Sequence, residues 1–447
     1  MKRFLIENLE KWANSPLRKP LVLSGARQVG KTWLLKEFGK TRYARTAYVN
    51  FERHPELGAL FAGAFDFRRI LTGLQAACGV TITPGDTLVV LDEIQLCGAA
   101  LTGLKYWQEE CSAYPVAAAG SLVGLTLLEG TGYPVGKTNS MTLYPMSFGE
   151  FLTAVGEPNL GEVAASGDAK LMAAFSERLR DLLKTYFLVG GMPAAVEAYA
   201  SSLSLAASRS VQLDILSDYA RDFAKHAPKR DVPRLKAIWD SLPRQLAKED
   251  RRFVSADVVV DGDRARARDL RDPFEWLEAA GLAYRVWNVT KPALPLQSYR
   301  NHMFKLFGLD VGLLAAQSHL APTAVLDGNR AFTEFKGALT EQYVQQELRA
   351  VAETVPYTWA PSDSTAEVDF VVEVDDRIVP IEVKAERNLQ AKSLGVYRAK
   401  YAPPCAVRTS LADGREEGGL LDIPLYAVGP ALRQGVFGCQ SSLQKYK

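Results

Sequence analysis

The chain has 447 residues, 47% apolar and 23% charged, which is longer than one hydrophobic core usually supports; two or three globular domains are expected and wholesale disorder is excluded. The formal net charge of +2 identifies no partner, so any nucleic-acid surface must be local. Cys78, Cys97, Cys111, Cys405 and Cys439 are odd in number and form no CxxC pair, and no histidine joins them, which argues against a disulfide framework or zinc ribbon and fits a reducing cytoplasm.

The first residues, MKRFLIENLEKW, place Leu5, Leu9 and Trp12 on one helical face among charges, and are read as a docking helix rather than a signal peptide. No run approaches the ~18 apolar residues of a membrane span. From residue 20 to about 145, β-branched runs at Leu21 to Leu23, Ala47 to Asn50, Leu88 to Leu91 and Val116 to Ala119 alternate with helical stretches, the rhythm of a parallel α/β sheet.

Within it, LVLSGARQVGKTWLLKEF has the order strand, glycine loop, helix. Gly25 and Gly30 permit a tight backbone, and the amides across Ala26, Arg27, Gln28 and Val29 can face phosphate. Lys31 supplies charge, Thr32 a magnesium-binding hydroxyl, and Trp33 follows in the helix. The strand TLVVLDEIQ ends in Asp92, placed to hold magnesium through water, and Glu93, placed to polarise an attacking water. ATP and magnesium are the implied ligands.

The next strand, PVAAAGS, delivers Ser121 either as a phosphate sensor or as a helix N-cap. GYPVGKT at Gly132 to Thr138 has three residues between its glycines and is read as a turn. No arginine finger is recognised: Arg27 lies inside the loop, and Arg68 and Arg69 are only exposed-looking. A homo-oligomer and a monomeric switch are both compatible with this pattern.

From Ser147 to about 230 the spacing turns helical, as in Phe148, Phe151 and Leu152, then Leu179, Leu182, Leu183 and Tyr186. Between Arg221 and Arg271 there are 14 Lys or Arg against 9 Asp or Glu, a local basic excess. Helical segments near Ile238 to Leu246 and Asp269 to Ala280, then strand-like runs at Ala283 to Thr290 and Met303 to Gly308, read as a winged helix, with Arg264, Arg266 and Arg268 before the candidate recognition helix.

After the turn-rich Ala321 to Asn329, a helix at Phe332 to Ala352 leads into strands at Glu367 to Val374 and Ile378 to Val383. Glu382 and Lys384 lie two apart and share a face, Asp369 sits on the preceding strand, and Glu341 falls on the apolar stripe of its helix, where a carboxylate wants a partner. Gln390 and Lys392 are read on the following helix, in reach of a phosphate backbone or on a solvated face.

GARQVGKT, LDEIQ, AAGSL, LYPMSFGEF and LVGGMP together resemble prokaryotic AAA-type ATPases near the STAND group, which carry a C-terminal domain of unknown function. The resemblance implies a GxP element with Gly191 and Pro193 in a lid beside adenine. Glu341, Asp369 and the Glu382-x-Lys384 pair resemble the core of PD-(D/E)XK nucleases, although Glu367-Val368 replaces the proline of the name-giving motif. That resemblance implies magnesium held by Asp369 and Glu382, supported by Glu341, with Lys384 orienting water. The alternative is an ion-pair network in an inactive remnant that binds DNA or protein.

The expected fold is therefore α/β: a P-loop ATPase core over 1–146, a helical lid over 147–229, a winged helix over 230–320 and a nuclease-like α/β domain over 330–447. The expected function is an ATP-dependent switch controlling a magnesium-dependent nuclease-like domain on DNA, with a non-catalytic binding module as the rival. A small-molecule kinase is disfavoured by the large lid and the extra domains.

Overall fold

The computed structural model describes residues 1–121, 124–125, 136–248, 251–326, 333–352, 354–361, 365–374, 376–387 and 390–435. Two compact units emerge. The smaller holds residues 2–144 and 276–282, and the larger holds Met1, 145–275 and 283–447.

The smaller unit is built on a five-stranded sheet. Strands β1 (Leu21–Ser24), β2 (Arg45–Asn50), β3 (Thr87–Asp92), β4 (Val116–Ala119) and β5 (Asn139–Thr142) stand in the order β2-β3-β4-β1-β5, and every pairing is parallel. Helices α1 (Ile6–Asn14), α2 (Lys31–Arg42), α3 (Phe67–Cys78) and α4 (Gly98–Glu110) accompany it. β3 and β4 are buried throughout, which explains their unbroken apolar runs. β5, in the polar segment NSMT, gives no strand signal and forms because β1 offers it a free edge. The first helix docks as expected, burying Leu9 and Trp12.

In the larger unit, helices α5 (Phe148–Ala154), α6 (Pro158–Ala165), α7 (Ala169–Ala174), α8 (Ser176–Val189), α9 (Pro193–Ser202), α10 (Leu205–His226) and α11 (Val232–Leu246) succeed one another. The start of α5 is set by a capping box, Ser147 and Glu150 each accepting from the other's backbone N–H. Phe148, Phe151, Leu179, Leu183 and Tyr186 enter one core, as their spacing requires.

A two-stranded ribbon, β6 (Val259–Val260) with β7 (Asp263–Arg264), precedes α12 (Arg271–Ala279), which begins in this unit. The hairpin expected to be a wing forms as β8 (Ala283–Val289) and β9 (Arg300–Gly308), but it is not set apart. β8 pairs in parallel with β10 (Tyr357–Trp359), so the hairpin edges an eight-stranded sheet ordered β14-β15-β13-β12-β11-β10-β8-β9. The other strands are β11 (Val368–Val374), β12 (Arg377–Val383), β13 (Ala406–Ser410), β14 (Arg415–Glu417) and β15 (Leu420–Pro424).

Helices α13 (Val311–Gln317), α14 (Pro322–Leu326), α15 (Thr333–Ala352), α16 (Lys392–Tyr401) and α17 (Val428–Arg433) complete the unit. Tyr343, Val344 and Leu348 of α15 share a core with Phe370, Val372 and Ile381, whereas Leu394 and Tyr397 of α16 pack with Trp359, Val368 and Val371. The sheet is thus buried on both faces. Gln390 lies before α16 rather than on it, since that helix starts at Lys392.

Residues 132–135 of the GYPVGKT segment, residues 327–329 of the expected turn, and Cys439 lie outside the described residues. Among the described residues no helix is long and apolar enough to cross a membrane.

Candidate functional site

The phosphate-binding loop joins β1 to α2 at the carboxyl edge of the parallel sheet, where β1 lies between β4 and β5. Gly25 has φ +139°, and a Cβ there would lie 2.2 Å from the carbonyl oxygen of Leu143, so only glycine lets the chain leave β1. Gln28 and Gly30 also have positive φ, at 65° and 97°. Ala26 and Val29 are buried beneath the loop, Gln28 is exposed, and Trp33 projects from the first turn of α2, 43% exposed.

Lys31 folds back on the loop. Its Nζ donates to the carbonyls of Gly25 at 2.8 Å and Ala26 at 2.7 Å. Burial lowers its pKa to about 8, against a smaller upward pull from Glu93 and Asp92. The Thr32 hydroxyl donates to Asp92 Oδ2 at 2.7 Å, and the Tyr48 hydroxyl donates to the same oxygen at 2.8 Å. A hydroxyl and a carboxylate side by side form a hard oxygen donor set, which suits magnesium.

Glu93 follows with a left-handed backbone, φ 52°, and its Oε2 accepts from Gln95 Nε2 at 2.6 Å. Ser121 is buried two residues beyond β4, the strand between β3 and β1, which sets it at the same sheet edge as Asp92 and the loop. Arg3 braces the loop from behind, its guanidinium donating to Val29 O at 2.8 Å and Tyr144 O at 2.6 Å. Arg3 and Tyr48 lie outside every motif, and Gln95, the last residue of LDEIQ, has no role assigned by its place there. Arg69, weighed as an arginine finger, donates to the nearby carbonyls of Ala62 and Ala64.

Gly191 and Pro193 belong to the larger unit. Pro193 opens α9, the Gly191 amide donates to Asp310 Oδ2 at 2.6 Å, and a Cβ on Gly191 would lie 2.1 Å from the Met146 carbonyl oxygen. The turn is therefore glycine-dependent for packing reasons within its own unit.

The carboxylates at the C-terminal end do converge. Phe370 faces Ile381 in the antiparallel β11–β12 pair, so Asp369 and Glu382 are neighbours one step further along, and Asp369 Oδ2 accepts from the Val383 amide at 2.8 Å. Glu341 of α15 is buried against them. Each is also met by a cation. Lys384 Nζ lies 2.7 Å from Glu382 Oε1, Arg251 pairs with Glu341 Oε1, and Lys305 of β9 lies 3.3 Å from Glu341 Oε2. Lys305 also reaches Glu367 at 2.6 Å and Asp369 at 3.8 Å.

Burial opposes the charge of Glu341, yet Lys305 and Arg251 hold its pKa below the usual range. Burial, then Glu341 and Glu382, push Asp369 well above it. Burial also raises Glu382 in spite of Lys384. This arrangement does not suit a magnesium ion shared by Glu341, Asp369 and Glu382. Both oxygens of Glu341 face cations, and among the described residues no group of three acidic, histidine or cysteine side chains is set around one metal position. One atom stands apart: Glu382 Oε2 is buried without a hydrogen-bond partner.

Residues 17–152 match the family described as an AAA domain, 180–324 match a domain of unknown function (DUF8612), and 336–426 match another domain of unknown function (DUF4143). The matched N-terminal region and its loop are those of an AAA-type P-loop ATPase domain. No curated protein matches the chain.

Among solved structures, a Walker-type ATPase of Pyrococcus abyssi is 14% identical with TM-score 0.43, over 70% of this chain and 94% of its own. The Orc1 protein of Aeropyrum pernix, solved in complex with DNA, is 13% identical with TM-score 0.26, over 72% and 92%. A RuvB variant of Thermotoga maritima is 15% identical with TM-score 0.26, over 63% and 89%.

Proposed function

We propose that this chain is an ATP-hydrolysing switch whose C-terminal α/β region is a non-cleaving recognition module, with DNA as the partner that the basic stretch fits. The observation that carries the ATPase part is the convergence of Lys31, Thr32 and Asp92 at one sheet edge, Lys31 held by two backbone carbonyls and the Asp92 carboxylate by the Thr32 and Tyr48 hydroxyls.

On nucleotide binding, Lys31 would trade its two carbonyl partners for phosphate oxygens, and the loop amides would cradle the remainder. Thr32 and Asp92 would hold magnesium, which supplies charge neutralisation on the transferring phosphate when bound. Glu93 would orient the attacking water, its carboxylate positioned by Gln95. Ser121 would sense the terminal phosphate.

Phosphate release and titration calorimetry on Glu93→Gln test this together: nucleotide binding is retained while kcat falls by roughly 10²–10⁴. Turnover at the wild-type rate would remove Glu93 from the mechanism.

The non-cleaving reading of the C-terminal region is supported by the cations on Glu341 and Asp369. The nuclease reading retains one observation in its favour, the partnerless Glu382 Oε2 beside the Glu382–Lys384 pair. Incubation with varied DNA forms, magnesium and ATP separates the two. Binding without cleavage is expected, whereas magnesium-dependent cleavage lost in Glu382→Ala would install the nuclease reading.

A further inference from the structure

We propose that Lys305 is the resident cation of the C-terminal carboxylate cluster, holding Glu341, Glu367 and Asp369 in position so that no divalent ion is required there. The inference rests on the non-cleaving reading above and gives that site its organising residue.

Lys305 belongs to β9, at the edge of the sheet, and is almost wholly buried. A buried ammonium is tolerated only when paired and hydrogen-bonded. Its partners come from three places: Glu341 from α15, Glu367 from the segment entering β11, and Asp369 from β11 itself. An ammonium carries three donors and no acceptor, so its hydrogen-bonding capacity matches three converging carboxylates. Two lie within hydrogen-bond reach and the third at 3.8 Å.

The remaining charges close the account. Arg251 takes the second oxygen of Glu341, Lys384 takes Glu382, and Arg252 lies 3.8 Å from Glu367. Four carboxyl groups, of which burial, Glu341 and Glu382 push Asp369 toward its protonated form, thus face four cations. The carboxylates would repel one another without them, and Lys305 is the cation that touches the most.

The test uses the full chain carrying Asp92→Asn, free of nucleotide, so that the N-terminal site contributes no metal signal. Thermal unfolding is followed in EDTA and in excess Mn²⁺. The parent is expected to melt at the same temperature in both. Lys305→Met should melt roughly 5–10 °C lower in EDTA and recover with Mn²⁺, because the uncovered carboxylates then coordinate it. Lys305→Met/Asp369→Asn should recover without Mn²⁺, and it keeps the test decisive if the single variant does not fold.

Three results would overturn the proposal: a parent stabilised by Mn²⁺, a Lys305→Met chain that melts like the parent, or a loss that neither Mn²⁺ nor Asp369→Asn relieves. DNA cleavage by the otherwise wild-type chain is read separately: it bears on the non-cleaving reading, while the melting pattern decides the role of Lys305.

Discussion

Two buried lysines in this molecule face opposite surroundings. Lys31 is held by two backbone carbonyls, and burial lowers its pKa to about 8. Lys305 is equally hidden from water, yet Glu341, Glu367 and Asp369 outweigh burial and raise it above its ordinary value. The first lysine has neutral carbonyls as its hydrogen-bond partners, so an incoming polyphosphate can replace them. The second already has its counter-charges, and a ligand would have to break ion pairs in a low-dielectric interior. Readiness for a ligand depends on whether charges are satisfied internally, and having lysine and carboxylate side by side is not enough.

The sharpest break of this contrast is Lys31→Ala. Loss of a charge-assisted contact to phosphate should weaken ATP binding roughly 100-fold or more in titration calorimetry. Unchanged affinity would mean the carbonyl-bound lysine never reaches the nucleotide.

A third buried group sharpens the contrast because it has neither arrangement. Glu347 accepts from the Phe148 amide at 2.8 Å, and burial raises its pKa from 4.5 to about 8. The folded chain therefore keeps a proton that the unfolded chain has lost between these values, so stability declines as pH rises from about 4.5 to about 8. Glu347→Gln, whose amide oxygen can still accept from Phe148, should flatten that decline by a few kcal/mol, measured as unfolding midpoints across pH. A wild-type slope in the variant would remove Glu347 as its source.

A smaller effect is expected at Tyr48, whose hydroxyl shares Asp92 Oδ2 with Thr32. Tyr48→Phe should raise the magnesium requirement of hydrolysis about 5-fold, the worth of one hydrogen bond, with nucleotide affinity in EDTA unchanged. Equal loss in both conditions would assign Tyr48 to the nucleotide itself.

The smallest signal is a fraction of a proton. Because free Lys31 titrates near 8, ATP should bind with proton uptake, and its affinity should fall as pH rises through that value. Calorimetry in buffers of different ionisation enthalpy measures it, and zero uptake near pH 8 would contradict the depressed lysine.

The sequence alone determined the loop from Gly25 to Thr32, the acidic end of β3 at Asp92, and the strand and helix carrying Asp369, Glu382 and Glu341. These are local patterns: a loop sterically limited to glycine, apolar runs ending in acids, and a carboxylate on a buried stripe. The polar strand β5 escaped because it forms by pairing with β1 and buries none of its own residues. Only the tertiary structure decided what surrounds those groups. Sheet order brings the β8–β9 hairpin into the C-terminal sheet through β10 and so carries Lys305 to the carboxylates, and the chain near Arg251 adds the second cation on Glu341. Tyr48 reaches Asp92 because β2 lies beside β3. Short-range spacing specifies which chemical groups an element presents, whereas their neutralisation depends on partners dozens of residues away, set by strand pairing.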